Sequence, residues 1–125
     1  MLMSTINEMI GKIFTNVSIG DRYELNFTCS DGKVYSFYHD QDCCENVYIE
    51  SVVGDLKDLI GAPLLVASEE TSGENPPKVI MEFQDSSFTW TFYKFATRKG
   101  YVDVRWYGES NGYYSESVGL HVKES

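Results

Sequence analysis

The stretch Phe88-Thr89-Trp90-Thr91-Phe92-Tyr93-Lys94-Phe95-Ala96-Thr97, Arg98-Lys99-Gly100, Tyr101-Val102-Asp103-Val104-Arg105-Trp106-Tyr107 decides the fold. In its second half Val102, Val104 and Trp106 alternate with Tyr101, Asp103, Arg105 and Tyr107, the period of a strand with one face in a core and one turned out. Residues 88–97 have the aromatic and β-branched composition of a partner strand, and Arg98-Lys99-Gly100 is a tight turn between them. Residues 113–122 read as a third strand after a loop over 108–112. The C-terminal third is therefore expected to be an antiparallel meander.

Working outward, Leu25 and Phe27, with Tyr23, alternate with Arg22, Glu24, Asn26 and Thr28. Asp31-Gly32 is a two-residue turn signal, and strand composition resumes over 34–38, so residues 22–38 read as a β-hairpin. His39 to Glu45 carries too many polar acceptors for a strand interior and reads as a turn. Residues 47–53 and 64–68 read as strands. Between them Gly54-Asp55 caps a short helix over 55–60 that Gly61 and Pro63 stop. Residues 69–78 read as an exposed loop. At the start, Thr5-Ile6-Asn7-Glu8 is a capping box for a helix over 5–10 that Gly11 ends. The expected fold class is β-rich α+β: one domain over 1–125, an antiparallel sheet, one short N-terminal helix and a second near 55–60.

At 125 residues the chain can bury one core without staples. The longest apolar run, residues 62–67, is far below the ~20 residues of a membrane span, and the start lacks a secretion signal, so the cytosol is the expected compartment. Nineteen acidic against ten basic residues give a net charge of -9, which disfavours long nucleic acid and anionic membranes as partners. Cys29, Cys43 and Cys44 are odd in number and two are neighbours, so free thiols in a reducing compartment are expected.

Charge and aromatic content are uneven along the chain. Residues 86–108 hold four basic groups (Lys94, Arg98, Lys99, Arg105) and one acid (Asp103), 4 − 1 = +3, against 6 − 18 = −12 for the remainder. Ten of the eighteen aromatic residues fall between Ser86 and Ser115. Several must build the core, but rings interleaved with cations also suit a small nucleotide, because a base stacked on a ring gains ~1–3 kcal/mol and an Arg fork grips phosphate. Asn111 is either a turn residue or a reader of a base edge or ribose. His39 with Asp40, Asp42, Cys43, Cys44 and Glu45 raises two further ideas, a metal site and a Cys-His nucleophile. Ligand spacing for four metal bonds is missing, and no oxyanion motif accompanies a thiol. No phosphate loop, dinucleotide fingerprint, zinc-protease motif or nucleophile elbow occurs. No catalytic residue, metal or cofactor is expected.

Three blocks carry a resemblance: Phe37-Tyr38-His39-Asp40-Gln41-Asp42-Cys43-Cys44-Glu45-Asn46-Val47-Tyr48-Ile49-Glu50 followed by Gly54-Asp55-Leu56; Thr89-Trp90-Thr91-Phe92-Tyr93-Lys94-Phe95-Ala96-Thr97; and Arg105-Trp106-Tyr107-Gly108-Glu109-Ser110-Asn111-Gly112-Tyr113-Tyr114-Ser115-Glu116. Spanning roughly residues 10 to 120, they resemble a small phage and prophage family of formerly unknown function that includes the Thoeris anti-defence sponges. The resemblance implies a non-enzymatic homo-oligomer built from dimers that binds a TIR-produced cyclic ADP-ribose isomer intact and withholds it from its receptor. On that reading Trp90, Phe92, Trp106, Tyr107 or Tyr113 stacks on the ligand, Lys94, Arg98 and Arg105 meet phosphates, and Asn111 reads ribose or base. The 73–78 loop and the N-terminal extension depart from the pattern without touching these blocks.

Two other functions compete with this reading. An acidic inhibitor or DNA mimic would present the surplus carboxylates to a basic protein. A hydrolase would use Cys43 or Cys44 with His39 and turn its ligand over.

Overall fold

The computed structural model describes residues 6–41, 44–72, 87–110 and 115–124. Alternation builds two sheets from eight strands. The first contains β1 (Phe14–Gly20), β2 (Glu24–Cys29), β3 (Lys33–Tyr38) and β8 (Gly119–Glu124), in the order β1-β2-β3-β8. The second contains β4 (Asn46–Val53), β5 (Val66–Ser72), β6 (Ser87–Thr97) and β7 (Gly100–Ser110), in the order β4-β7-β6-β5. All pairings are antiparallel. Phe14, Leu25, Phe27, Tyr35, Phe37 and Leu120 of the first sheet share one core with Val47, Ile49, Tyr93, Phe95, Val102, Val104 and Trp106 of the second. Ring centroids of Phe27 and Phe95 lie 4.9 Å apart, and those of Phe37 and Tyr93 4.8 Å. Such contacts add ~0.5–1.5 kcal/mol each beyond burial and fix how the sheets interdigitate.

The 22–38 hairpin forms as read. Gly32 takes φ +95 and donates to the Cys29 carbonyl, and Asp31 Oδ1 accepts from the Lys33 N–H at 2.9 Å. Tyr23 departs from the alternation: it lies in the turn that enters β2 and is exposed. The β6–β7 turn is as tight as expected, with Thr97 paired to Gly100.

Four expectations need correction. Among the described residues no α-helix forms; both expected helices are four-residue 3-10 turns, Ile6–Met9 and Leu56–Leu59. Asp55 does cap the second, accepting from the Lys57 N–H, but neither segment is long enough to sustain an α-helical ladder. Thr5 of the capping box lies outside the described residues. The stretch read as loop begins as strand, because β5 runs to Ser72 as a sheet edge where Glu69, Glu70 and Thr71 keep their side chains outside the core. β7 likewise continues through Gly108 to Ser110. A three-stranded C-terminal meander does not form. β8 starts at Gly119 and crosses to the first sheet, pairing Gly119 with Tyr38 and Glu124 with Lys33, because Leu120 and Val118 bury against that core.

One strand escaped the sequence reading. β1 pairs along β2 from Phe14 opposite Cys29 to Gly20 opposite Glu24. Its alternation is broken by a register shift between Phe14 and Asn16, so Phe14 and Val17 both bury at a spacing of three. The expectation of three free thiols also fails. Cys29 is free and buried in the core, whereas Cys44 is disulfide-bonded. Among the described residues no helix is long and apolar enough to cross a membrane.

Candidate functional site

The inner face of the second sheet is consumed by the core, so its chemistry lies on the outer face. Register aligns three rows there: Tyr48, Tyr107, Trp90 and Ser72; Ser51, Arg105, Phe92 and Glu70; Val53, Asp103, Lys94 and Ser68. The second and third rows together line a groove of about 430 Å³. Small side chains at Ser51 and Ser68 on the flanking strands leave the depression between longer neighbours, a volume within the range of small-ligand sites.

A β-bulge shapes the upper wall. Ser51 is brought to the outer face by the register shift between Ile49 and Ser51, beside Glu50, which alternation from Ile49 already places there. Glu50 Oε2 accepts from Arg105 Nε and lies 2.6 Å from Arg105 Nη2. The same guanidinium lies 5.1 Å over the Trp90 ring. Trp90 also packs on Tyr107 at 4.9 Å and Phe92 at 6.4 Å, while Tyr48 meets Tyr107 edge-on and carries Arg22 over its face at 5.0 Å. The top row is thus an aromatic strip with a cation over one ring at each end. Burial, then Glu109, pushes the Tyr107 phenol up to about 12, so it stays protonated and donates to Glu109.

The expected site residues separate into three groups. Phe92, Lys94 and Arg105 come together in the groove, and Phe92 is the large ring with an accessible face, 39% exposed. Trp90 and Tyr107 form its upper border but are buried, at 8% and 5% exposure, so they support the site more than they offer surface. Trp106 is fully buried between the sheets and cannot stack on a ligand; the alternation that put it with Val102 and Val104 had already turned it inward. Arg98 lies in the β6–β7 turn, away from the groove lining. Asn111 and Tyr113 lie outside the described residues.

The groove is not the cationic hollow that local charge counting suggested. Lys94 and Arg105 are offset by Glu70 and Asp103, 2 − 2 = 0, and Arg105 is already engaged by Glu50. Asp103 was legible, since it shares a strand face with Arg105. Glu70 falls in the stretch read as a loop, and Glu50, which alternation places outward with Tyr48, was not legible as the partner of Arg105 until β4 was placed beside β7. Tyr48 became visible only when β4 was placed beside β7.

His39 is bonded into the fold. Its side chain is buried, with Nδ1 donating to the Ser117 carbonyl at 2.7 Å and Nε2 3.2 Å from Glu45 Oε2, which ties the end of β3 to the approach of β8. Neither Cys29, in the core, nor Cys44, in a disulfide, offers it a free thiol, and Asp42 and Cys43 lie outside the described residues. Among the described residues no group of three His, Cys, Asp or Glu side chains is placed to hold a metal ion.

Residues 7–120 match a domain family of unknown function, DUF7448. The chain belongs to the DUF7448 family. No curated protein and no solved structure matches it. The match runs from the first 3-10 turn to the start of β8, so the groove of this DUF7448 domain lies wholly inside the family's extent.

Proposed function

We propose that this DUF7448 domain captures a compact nucleotide-derived signal, a TIR-produced cyclic ADP-ribose isomer such as glycocyclic ADP-ribose, and holds it unchanged. On this reading it is a phage or prophage anti-defence protein that acts in the host cytoplasm as a homo-oligomer built from dimers and withholds the signal from the Thoeris receptor. The observation that carries the reading is the placement of the exposed Phe92 ring between Lys94 and Arg105 inside a groove of small-ligand size. A base stacks on the ring while two cations meet the diphosphate. Sequestration needs affinity and abundance rather than chemistry, and each tenfold gain over the receptor requires ~1.4 kcal/mol, within reach of one stack or one charge-assisted hydrogen bond.

Mass spectrometry of small molecules released by heat from protein expressed beside an active TIR enzyme tests the proposal. Intact cyclic ADP-ribose isomer in the supernatant is expected. Empty protein, or ligand recovered as linear ADP-ribose, overturns it. A hydrolase using His39 gains nothing from the geometry, because the imidazole is committed to Ser117 and Glu45.

A further inference from the structure

The charged side chains lining the groove are not equivalent. Arg105 is committed to Glu50, but neither Lys94 nor Asp103 has a side-chain ion-pair or hydrogen-bond partner among the described residues, although β6–β7 register sets them opposite each other. Asp103 Oδ1 is buried and has no donor from the protein. The carboxylate, half-buried at the groove wall and unpaired, has only its other oxygen left to take donors from a ligand. It is also a poor neighbour for phosphate, so a site made only for a diphosphate would gain by losing it.

We propose that Asp103 is the specificity residue of this groove: its carboxylate accepts hydrogen bonds from the vicinal hydroxyls of a ribose whose attached phosphate lies on Lys94. The inference rests on the nucleotide reading of the groove and adds to it which part of the ligand is read. Oδ1 is closed off inside the protein, so the second carboxylate oxygen is the one that meets the ligand, and its lone pairs can accept from adjacent hydroxyls, as acidic residues do with ribose in dinucleotide sites. Lys94, one cross-strand pair away, supplies the opposite charge a phosphate needs, and Phe92 in the next row supplies the stacking surface. The alternation of acid, cation and ring therefore fits a ribose phosphate with an intact diol, which a glycocyclic ADP-ribose keeps on the ribose that is not part of the adenosine, and rejects a bare polyphosphate or a deoxyribose counterpart.

The test is calorimetric titration of wild type, Asp103→Asn and Asp103→Ala with glycocyclic ADP-ribose and with an analogue lacking one hydroxyl of its free ribosyl diol. Wild type is expected to prefer the parent by about tenfold or more, the worth of a hydrogen bond to a charged acceptor. In Asp103→Ala the preference should fall to within about twofold, with Asp103→Asn between them. If wild type binds both ligands equally, or if Asp103→Ala keeps the full preference in a folded protein, the role of Asp103 is overturned and the nucleotide reading stands. If wild type binds neither ligand, the nucleotide reading falls and this inference with it.

Discussion

Glu50 Oε2 lies 2.6 Å from both Nε and Nη2 of Arg105 while the guanidinium lies over Trp90, so this arginine is held from two sides rather than left free in the groove. Glu50 stands at the β4 bulge, and the bulge is anchored from the first sheet: the Ile49 N–H donates to the Arg22 carbonyl at 2.7 Å, from the turn between β1 and β2. The first sheet thereby sets the position of a cation on the second.

Glu50 and an incoming phosphate should compete for Arg105. The pair is about half exposed, so breaking it costs stability only ~0–1 kcal/mol. Glu50→Gln should raise affinity for cyclic ADP-ribose severalfold by removing the competitor, and Arg105→Ala should lower it by about tenfold. Calorimetry on both variants checks this; equal affinities in both and in wild type would remove Arg105 from the site.

Phe92 and Trp106 separate binding from folding. Phe92→Ala deletes a half-exposed ring and should leave the urea midpoint near that of wild type while weakening nucleotide binding by ~1–3 kcal/mol, roughly 10- to 100-fold. Trp106→Ala opens a cavity in the shared core and should cost ~3–5 kcal/mol of stability. Chemical denaturation alongside titration distinguishes them, and a Phe92→Ala protein that binds as wild type does contradicts the stacking role.

Local signals were readable where a strand and its partner are neighbours in the chain. Asp31-Gly32 set the β2–β3 hairpin, and the alternation around Val102 set the buried face of β7. Long-range pairing was not readable. Nothing in 113–122 says that β8 joins β3 rather than β7, since either partner would accept a strand with Leu120 facing a core. The broken period of β1 hid a strand whose buried residues, Phe14 and Val17, are three apart. At the groove, Phe92, Lys94 and Arg105 were picked out by the overlap of rings and cations along the chain, a count blind to which face each residue takes and so one that also picked Trp106. Glu70 was missed because β5 runs further than its composition suggests, and Glu50 because the pairing of β4 with β7 is long-range.

Alkaline pH should act through Tyr93. Burial, then its hydrogen bond to Glu69, pushes this phenol far above its ordinary value of 10.0. A folded-state pKa above the unfolded one contributes stability that is complete below pH 10 and is lost progressively above it, as the unfolded chain ionises and the folded one cannot. At neutral pH Tyr93→Phe should be less stable by about 1 kcal/mol for the lost hydrogen bond. As pH rises beyond 10 the two proteins should converge and then cross, because phenylalanine has nothing to ionise. Urea midpoints across that range, followed by circular dichroism, measure it; a constant gap between the variants would show that Tyr93 ionises freely in the fold.

The turn between β1 and β2 stores backbone strain that a single substitution should release. Asp21 and Arg22 are consecutive non-glycine residues at φ 46 and φ 71, a region where a Cβ costs ~1–2 kcal/mol per residue, less for aspartate. Arg22 is kept there by contacts, its carbonyl on Ile49 and its guanidinium over Tyr48. Asp21 is exposed and has no side-chain hydrogen bond or ion pair among the described residues to lose. Asp21→Gly should therefore raise stability by up to ~1 kcal/mol, less the entropy glycine adds to the unfolded chain, and leave ligand affinity unchanged. Arg22→Gly relieves the same strain but gives up the cation over Tyr48, worth ~0.5–1 kcal/mol at an exposed site, so its net change should be near zero. Thermal unfolding of the two variants orders them, with Asp21→Gly above Arg22→Gly. The reverse order would mean that the strain resides at Arg22 and that its ring contact contributes little.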